Sequence, residues 1–555
     1  MSGASPSTLQ RNLAALDQVE PELARRLRWS VASDHVFQQG GRIVLKTGAS
    51  AQPLLVTSDQ MFHRIFKEGP CARVVICGVG LGELVESALQ FWSDVPVVAW
   101  DRDPWMLRIL LSRADFTRPI LNRRLRLLLG PDLLEFACAA GDRVVRHPVL
   151  EVVYARELEA WQSPKPRRMV LMCTEGLFVG DVSRDLTERG YVPWRVEVSR
   201  VDAAEFNRTA RVVQPLFGVA INQTVGLPEV FESLGIPLLT WEIDPAVDWL
   251  PVPERSVPHS HLFSFRRAVA ETLAEAPHGT VTWLPLAAPE HRRPLALSAE
   301  ERDRFAADVS FVGSSLVGRA RAYAQRVLKQ IRRWLRTTGG DPATAVSRFE
   351  AILAHQRSNP DVWCLPDAMQ QHAPGFREWC RQAGLPSDPL LLLGELPAAE
   401  HRLQVVAALA PYGVQVWGDP GWQTVAKQGV TFRGLAGHTH MLTRIYGCSR
   451  INIDIGRLYQ SDIVTMRVFD VLACGGFLLA AHSDELGELF EIGVEIETWK
   501  DREELVHKVR HYLGHPDAAQ QIAERGRQAV LKRHRLTQRV DRMLQVAGLA
   551  AAQSE

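Results

Sequence analysis

INIDIGRLYQSDIVTMRVFDVLACGGFLLA, residues 451–480, decides the fold. It reads as a buried strand, an acidic loop, a helix and a second buried strand. Seven residues separate Asp462 from Asp470, and Gly475-Gly476 ends the helix and hands the chain to the apolar run Phe477-Leu478-Leu479-Ala480. A loop carboxylate, a helix carboxylate and a tight helix-to-strand glycine turn suit a crevice for a sugar nucleotide. The later carboxylate can accept ribose hydroxyls, and N–H groups at the helix start face a negative diphosphate.

Working outward, the chain has 555 residues, 46% of them apolar and 23% charged. That balance is ordinary for a globular protein, and the length suits about three domains. A formal net charge of +1 gives no global pull toward nucleic acid or anionic membrane. No apolar run reaches membrane-spanning length. The N-terminus is polar and lacks a signal-peptide core, so a cytoplasmic location is expected. The eight Cys form no C-x-x-C pair; Cys77, Cys173 and Cys474 sit in apolar contexts and read as small buried hydrophobes. No metal site is expected.

An α/β class with three domains follows. Residues 1–165 carry the strand Arg73–Cys77, the turn Gly78-Val79-Gly80-Leu81-Gly82 and a strand ending at Asp101, 19 residues after Gly82. A third strand, Leu125–Leu129, stops before Asp132. This is a Rossmann-type pattern in which glycines admit a ligand and an acid binds a ribose diol. Gly78, Gly80, Gly82, Asp101 and Asp132 are therefore a candidate second nucleotide site. The pattern is similar to the S-adenosylmethionine site of methyltransferases, but no downstream methyl-transfer motif accompanies it.

Residues 166–305 alternate strands and helices, which implies a parallel sheet with its crevice at the strands' C-terminal ends. The polar residues read at those ends are Asn222, Gln223, Glu242, Asp244, His259 and His261. Of these, Asn222, Gln223, Asp244 and His261 are the candidate acceptor contacts. Residues 306–555 open with the strand and small-residue loop Asp308–Ser315, followed by Arg319. A helical insertion covers about 316–400, expected as a lid or acceptor platform. The alternation resumes at Val414–Trp422, which brings in Gly418 and Asp419, then Phe432-Arg433-Gly434. Arg467 sits one helical turn before Asp470, so the two can flank a ligand from one face.

MRVFDVLACGGFLL resembles the signature of CgeB-like (spore-maturation-type) glycosyltransferases of the GT-B fold, and the 1–165 pattern resembles the first domain of motility accessory factors, which modify flagellin. The likeness covers roughly 210–545. It implies a GT-B pair of Rossmann-like domains behind a further Rossmann-like domain, and sugar transfer from a nucleotide diphosphate-sugar to a hydroxyl of a protein or glycan, flagellin among the candidates, with no cofactor required. It implies catalytic roles for Asp462 and Arg467. Donor contacts fall to Gly313, Ser314, Arg319, Gly418, Asp419, Arg433, Asp470, Gly475 and Gly476. Asp462 and Asp470 stand where Glu is usual in the family at one or both positions, and Asp is one methylene shorter. The alternatives are an S-adenosylmethionine-dependent methyltransferase and a non-catalytic recognition scaffold.

Overall fold

The computed structural model describes residues 6–28, 36–39, 42–47, 50–56, 69, 71–165, 167–174, 176–244, 247–437 and 440–549. Pro245, the end of the Trp241–Pro245 strand exit, and Pro166, in the polar stretch before the second segment, lie outside the described residues. The chain divides into two compact units, residues 1–221 with 236–238, and residues 222–235 with 239–555.

The first unit holds a small antiparallel sheet of β1 (Val36–Gln39), β2 (Arg42–Thr47) and β3 (Ser50–Pro53). A four-stranded parallel sheet follows, built from β4 (Arg73–Cys77), β5 (Val97–Asp101), β6 (Leu125–Leu129) and β7 (Asp142–Arg146) in the order β6-β5-β4-β7. β4 and β5 are central, and their apolar runs are buried on both faces, as parallel strands covered by helices must be. The same unit contains β8 (Met169–Met172), β9 (Val192–Arg195) and β10 (Phe217–Ile221), parallel in the order β9-β8-β10. β7 and β9 carry too few apolar residues to stand out in the sequence.

The second unit contains β11 (Leu238–Glu242), β12 (Val257–Ser264) and β13 (His278–Trp283) side by side. Its six-stranded parallel sheet comprises β14 (Ala307–Val312), β15 (Val414–Trp417), β16 (Thr431–Phe432), β17 (Ser449–Ile453), β18 (Leu478–Ala481) and β19 (Glu497–Trp499), in the order β16-β15-β14-β17-β18-β19. β14 and β17 are innermost, so their C-terminal loops open at the point where the strand order reverses, the usual place for a ligand crevice. Between β14 and β15 lie the helices Val317–Thr337, Ala345–Arg357, Leu365–His372, Phe376–Gln382 and Pro389–Ala408. The insertion thus runs eight residues past its expected end. Asp388 caps the last helix by accepting from Leu390 N–H at 2.9 Å, with Pro389 at its first turn, a favoured start. After the strands, the final helix Leu536–Val546 returns to the β13 exit: Leu536 N–H donates to Ala288 O at 3.0 Å, and buried Arg539 donates to Pro285 O at 2.8 Å.

The core under β14 gathers Val309, Phe311, Val414, Val416, Ile451 and Ile453 with Trp422, which is fully buried. Trp422 meets Phe311 edge-on at 5.5 Å and donates its indole N–H to Gly313 O at 2.8 Å. Trp422→Ala removes both packing and this donor, and is expected to cost about 3–5 kcal/mol. Urea unfolding of the full chain measures it; an unchanged midpoint would contradict this packing.

Candidate functional site

The site is built at the C-terminal ends of β14, β15 and β17. Two glycines allow the loops to close on each other. A methyl group at Gly418 would run into the Gly313 carbonyl, and one at Gly313 would lie 2.8 Å from Arg467 Nη2. Asp419 fastens the turn: it accepts from Ser314 Oγ at 2.7 Å, Ser315 N–H at 2.6 Å and Gly421 N–H at 2.9 Å. Burial opposes its ionisation, but the Ser315 and Ser314 hydroxyls and those N–H groups outweigh burial and hold its pKa below the usual value. Leu316 then adopts φ +66° with its side chain buried, a left-handed conformation that a branched residue keeps only where its surroundings impose it.

Four arginines converge on this turn. Arg402, buried on the helix Pro389–Ala408, donates to Ser314 O at 2.8 Å and Ile455 O at 2.9 Å. Burial first, then the charges of Arg457 and Arg467, bring its pKa down to about 9. Arg467, in the first turn of the helix Met466–Ala473, donates to Val312 O at 2.7 Å, pairs with Asp454 and lies 4.7 Å above the Phe311 ring. Arg319 and Arg457 share one buried carboxylate, Glu395, at 3.1 and 2.9 Å, and the Tyr459 hydroxyl donates to it as well. Glu395 and Arg402 lie seven residues apart on one helix, on the same face. Arg319 keeps 46% of its side chain exposed, so it can still meet a ligand. Thr465, the N-cap of the helix Met466–Ala473, gives its hydroxyl to Asp454 at 2.9 Å and makes no capping bond.

Several expected site residues stand here: Gly313, Ser314, Arg319, Gly418, Asp419 and Arg467. Others do not. Asp470, expected to face an open crevice, is 1% exposed and pairs with buried Arg292 at 3.1 Å; its position on the inward face of the helix buries it. Gly475 and Gly476 lie at the opposite end of that helix. There Gly476 is required because a methyl group would lie 2.6 Å from Tyr446 O. Arg433 donates to Arg304 O at 2.7 Å.

Asp462 pairs with Arg266, just past the end of β12, at 3.0 Å. On the same side Asn222, at φ +65°, ties Asp244: its amide donates to Asp244 Oδ2 at 2.9 Å, and its Oδ1 accepts from Ile243 and Asp244 N–H at 2.9 and 3.1 Å. Gln223 is half-buried beside it. His259 and His261 are not at a strand's C-terminal end. β12 starts at Val257, because its polar first half pairs with β13, and His261 bonds Thr280 at 3.0 Å. The group at the β12 end is Ser264, and it donates at 2.6 Å to Glu242, which does stand at the end of β11; burial raises the Glu242 pKa. Arg402, Glu395, Arg457 and Tyr459 escaped the sequence reading. Glu395, set within the apolar first half of its helix with Arg402 seven residues on, was their one signal.

In the first unit Gly78, Gly80 and Gly82 have φ of +87°, +55° and +105°, and the protein fills their turn itself. The His147 ring lies against Gly80 and the Leu150 side chain against Gly78. His147 Nδ1 accepts from the N–H groups of Val149 and Leu150 at 3.2 Å, so its Nε2–H donates to Leu54 O at 3.1 Å. Burial lowers its pKa to about 4. Asp101 is fully buried, accepting from Val79 N–H at 2.9 Å and Tyr154 OH at 2.7 Å. Asp132 pairs with Arg26 at 2.8 Å and Arg208 at 2.7 Å. Neither carboxylate is presented to a ribose as the sequence suggested, because each is consumed by long-range partners.

Among the described residues no three His, Cys, Asp or Glu side chains group to hold a metal ion, and no helix is long and apolar enough to cross a membrane. Residues 399–545 match the family model described as glycosyl transferase-like. Comparison with curated proteins gives no match. Among solved structures, a glycosyltransferase from Rickettsia africae ESF-5 is similar at 11% identity and TM-score 0.42, over 69% of this chain and 98% of that one. Anabaena HepE in complex with UDP is similar at 11% identity and TM-score 0.37, over 69% and 100%. The MAf glycosyltransferase from Magnetospirillum magneticum AMB-1 shows 14% identity and TM-score 0.20, over 42% and 53%.

Asp470→Ala removes the carboxylate that buried Arg292 pairs with, and removing one partner of such a pair costs about 3–5 kcal/mol. Thermal and urea unfolding of the variant should show that loss; an unchanged melting temperature would contradict the buried pair. Asp101 gives a pH signature. Burial, then the Asp103 charge, raises its pKa to about 7, against about 3.9 in an unfolded chain. Between these values the folded state keeps a proton that the unfolded state has lost, so Asp101 makes stability fall as pH rises from about 4 to 7. Asp101→Asn cannot ionise and should gain on the wild type across that window. Unfolding at pH 4.5 and 7.5 checks it; an unchanged difference would overturn it.

Proposed function

We propose that the second unit is a GT-B glycosyltransferase that moves a sugar from a nucleotide diphosphate-sugar to a hydroxyl of a protein or glycan. One observation carries this: Arg319, Arg402, Arg457 and Arg467 gather at a glycine turn beside the N-terminus of the helix Met466–Ala473, whose N-cap side chain is turned elsewhere. Backbone N–H groups and cations there suit a diphosphate. The glycosyl transferase-like match over 399–545 covers Arg402, Arg457 and Arg467 and supports the reading.

The roles divide by what each side chain is bonded to. Arg319 and Arg457 contact the diphosphate, and Glu395 holds both in place. Arg402 and Arg467 fix the turn by binding its carbonyls. When the sugar–diphosphate bond breaks, negative charge grows on the leaving diphosphate, where these cations stabilise it. Asp462 stands nearer the sugar, positioned by Arg266. Asp470 acts by anchoring its helix to Arg292 rather than by touching ribose. On the acceptor side, Asn222 and Asp244 form one rigid bonded turn next to Gln223. We divide the chain into 1–165, 166–305 and 306–555, with the first Rossmann-like domain as a structural or recognition element, since His147 occupies its glycine turn.

Arg319→Ala is the test, because a half-exposed side chain can be removed without unfolding the core. Losing one charged hydrogen-bond donor to a diphosphate costs about 1.5–3 kcal/mol, roughly ten- to hundred-fold in affinity. Calorimetric titration with UDP, GDP, ADP and dTDP should show the wild type binding at least one, and the variant, still folded by circular dichroism, binding it that much more weakly. No binding by the wild type, or equal binding by the variant, would sink the donor-site assignment.

A further inference from the structure

The helical insertion carries a cavity of its own. The helices Leu365–His372 and Phe376–Gln382 meet at a turn with Gly375 at φ +78°. Beside them the segment after β11 is pinned to the start of the helix Pro389–Ala408: Asp388 N–H donates to Val247 O at 2.9 Å, and Ser387 Oγ to Asp248 Oδ1 at 2.5 Å. This pairing sets Trp249 against the helices and encloses a cleft of about 390 Å³, within the range of small-ligand sites.

Its chemistry is selective. The floor is apolar, made by Trp249 with the buried side chains of Met369 and Leu390. Trp249 donates its indole N–H to Leu385 O at 2.8 Å, so its polar edge is satisfied, and the half-exposed Arg377 guanidinium stands 5.6 Å over its ring. The rim holds Gln370, Arg377, Glu378 and Arg381. Their charges cancel locally, since Arg377 pairs with Asp388 at 2.6 Å and Arg381 with Glu378 at 2.7 Å. A phosphate or carboxylate finds no surplus cation here. What the cleft offers is the Trp249 ring with the Arg377 guanidinium over it, among planar donors and acceptors that still have unused hydrogen-bonding positions.

We propose that this cleft binds a neutral carbohydrate, a sugar of the acceptor chain remote from the hydroxyl that reacts. A pyranose presents an apolar C–H face to a ring and hydroxyls around its edge, which matches this floor and rim. The inference rests on the transferase reading. It also explains why the insertion is anchored twice: at the segment after β11, and at the donor-side loop, where Trp363 meets Tyr459 at 5.6 Å and Gly394 leaves no room for a methyl group between those two rings. A sugar held on such a block would lend remote binding energy to orientation at the reacting centre.

Saturation-transfer NMR of the full chain with maltotriose, cellotriose, chitotriose and mannotriose tests it. At least one should bind, and Trp249→Ala should weaken it tenfold or more. Gln370→Ala with Glu378→Ala, both at exposed positions, should weaken it several-fold at an unchanged melting temperature. Affinity for the nucleoside diphosphate that the wild type binds should stay constant in every variant. No saccharide binding, or binding equal in the wild type and the rim variant, would overturn the proposal. Failure of the donor reading shows separately, as a wild type that binds no nucleoside diphosphate.

Discussion

The buried guanidinium of Arg402 is the interaction on which the candidate site depends. A charge taken out of water must be resolvated by the protein, and here that falls to backbone carbonyls from two loops, Ser314 after β14 and Ile455 after β17. Those carbonyls are therefore fixed relative to the helix Pro389–Ala408, and so are the N–H groups of the same turns. Arg402 does not need to touch a ligand to govern one. Removing it would leave carbonyls unpaired in the interior and two loops free to separate.

About two helical turns before Arg402, Glu395 solves the opposite problem. A buried carboxylate is costly unless paired, and it draws in Arg319, Arg457 and the Tyr459 hydroxyl. The arrangement pre-positions two cations at the mouth of the turn, so little side-chain freedom remains to be lost when an anion arrives. The same helix thus sets both the shape of the loops and the charge at their opening. Other paired charges join the β11–β13 side to the six-stranded sheet within the second unit: Arg266 with Asp462, and Arg292 with Asp470. Two of the acids most prominent in the sequence are therefore held from the other side of the unit.

The first unit shows how a nucleotide-binding glycine pattern can be folded with the protein's own side chains in its turn. Its glycines keep the left-handed conformations that the turn demands. His147 and Leu150 occupy the space a ligand would use, and Asp101 spends its oxygens on Val79, Asp103 and Tyr154. The backbone geometry of the pattern has been kept, and the vacancy that would make it a binding site has not.

The sequence by itself determined what local physics controls. Apolar runs such as Val309–Val312 and Ile451–Ile453 could only be buried strands. The small-residue turn Gly313–Ser315 was legible, and so was the helix carrying Arg467, because period and punctuation are local properties. Only the tertiary structure decided which polar groups are spent and which are left. Asp470 reads in sequence as a binding acid, and Arg292, 178 positions earlier, makes it an anchor. Glu395 and Arg402 read as interruptions in an apolar helix, and the loops they meet make them the centre of the site. Hydrogen bonds and ion pairs between distant segments leave no periodic trace, since nothing in the chain near one partner depends on the identity of the other.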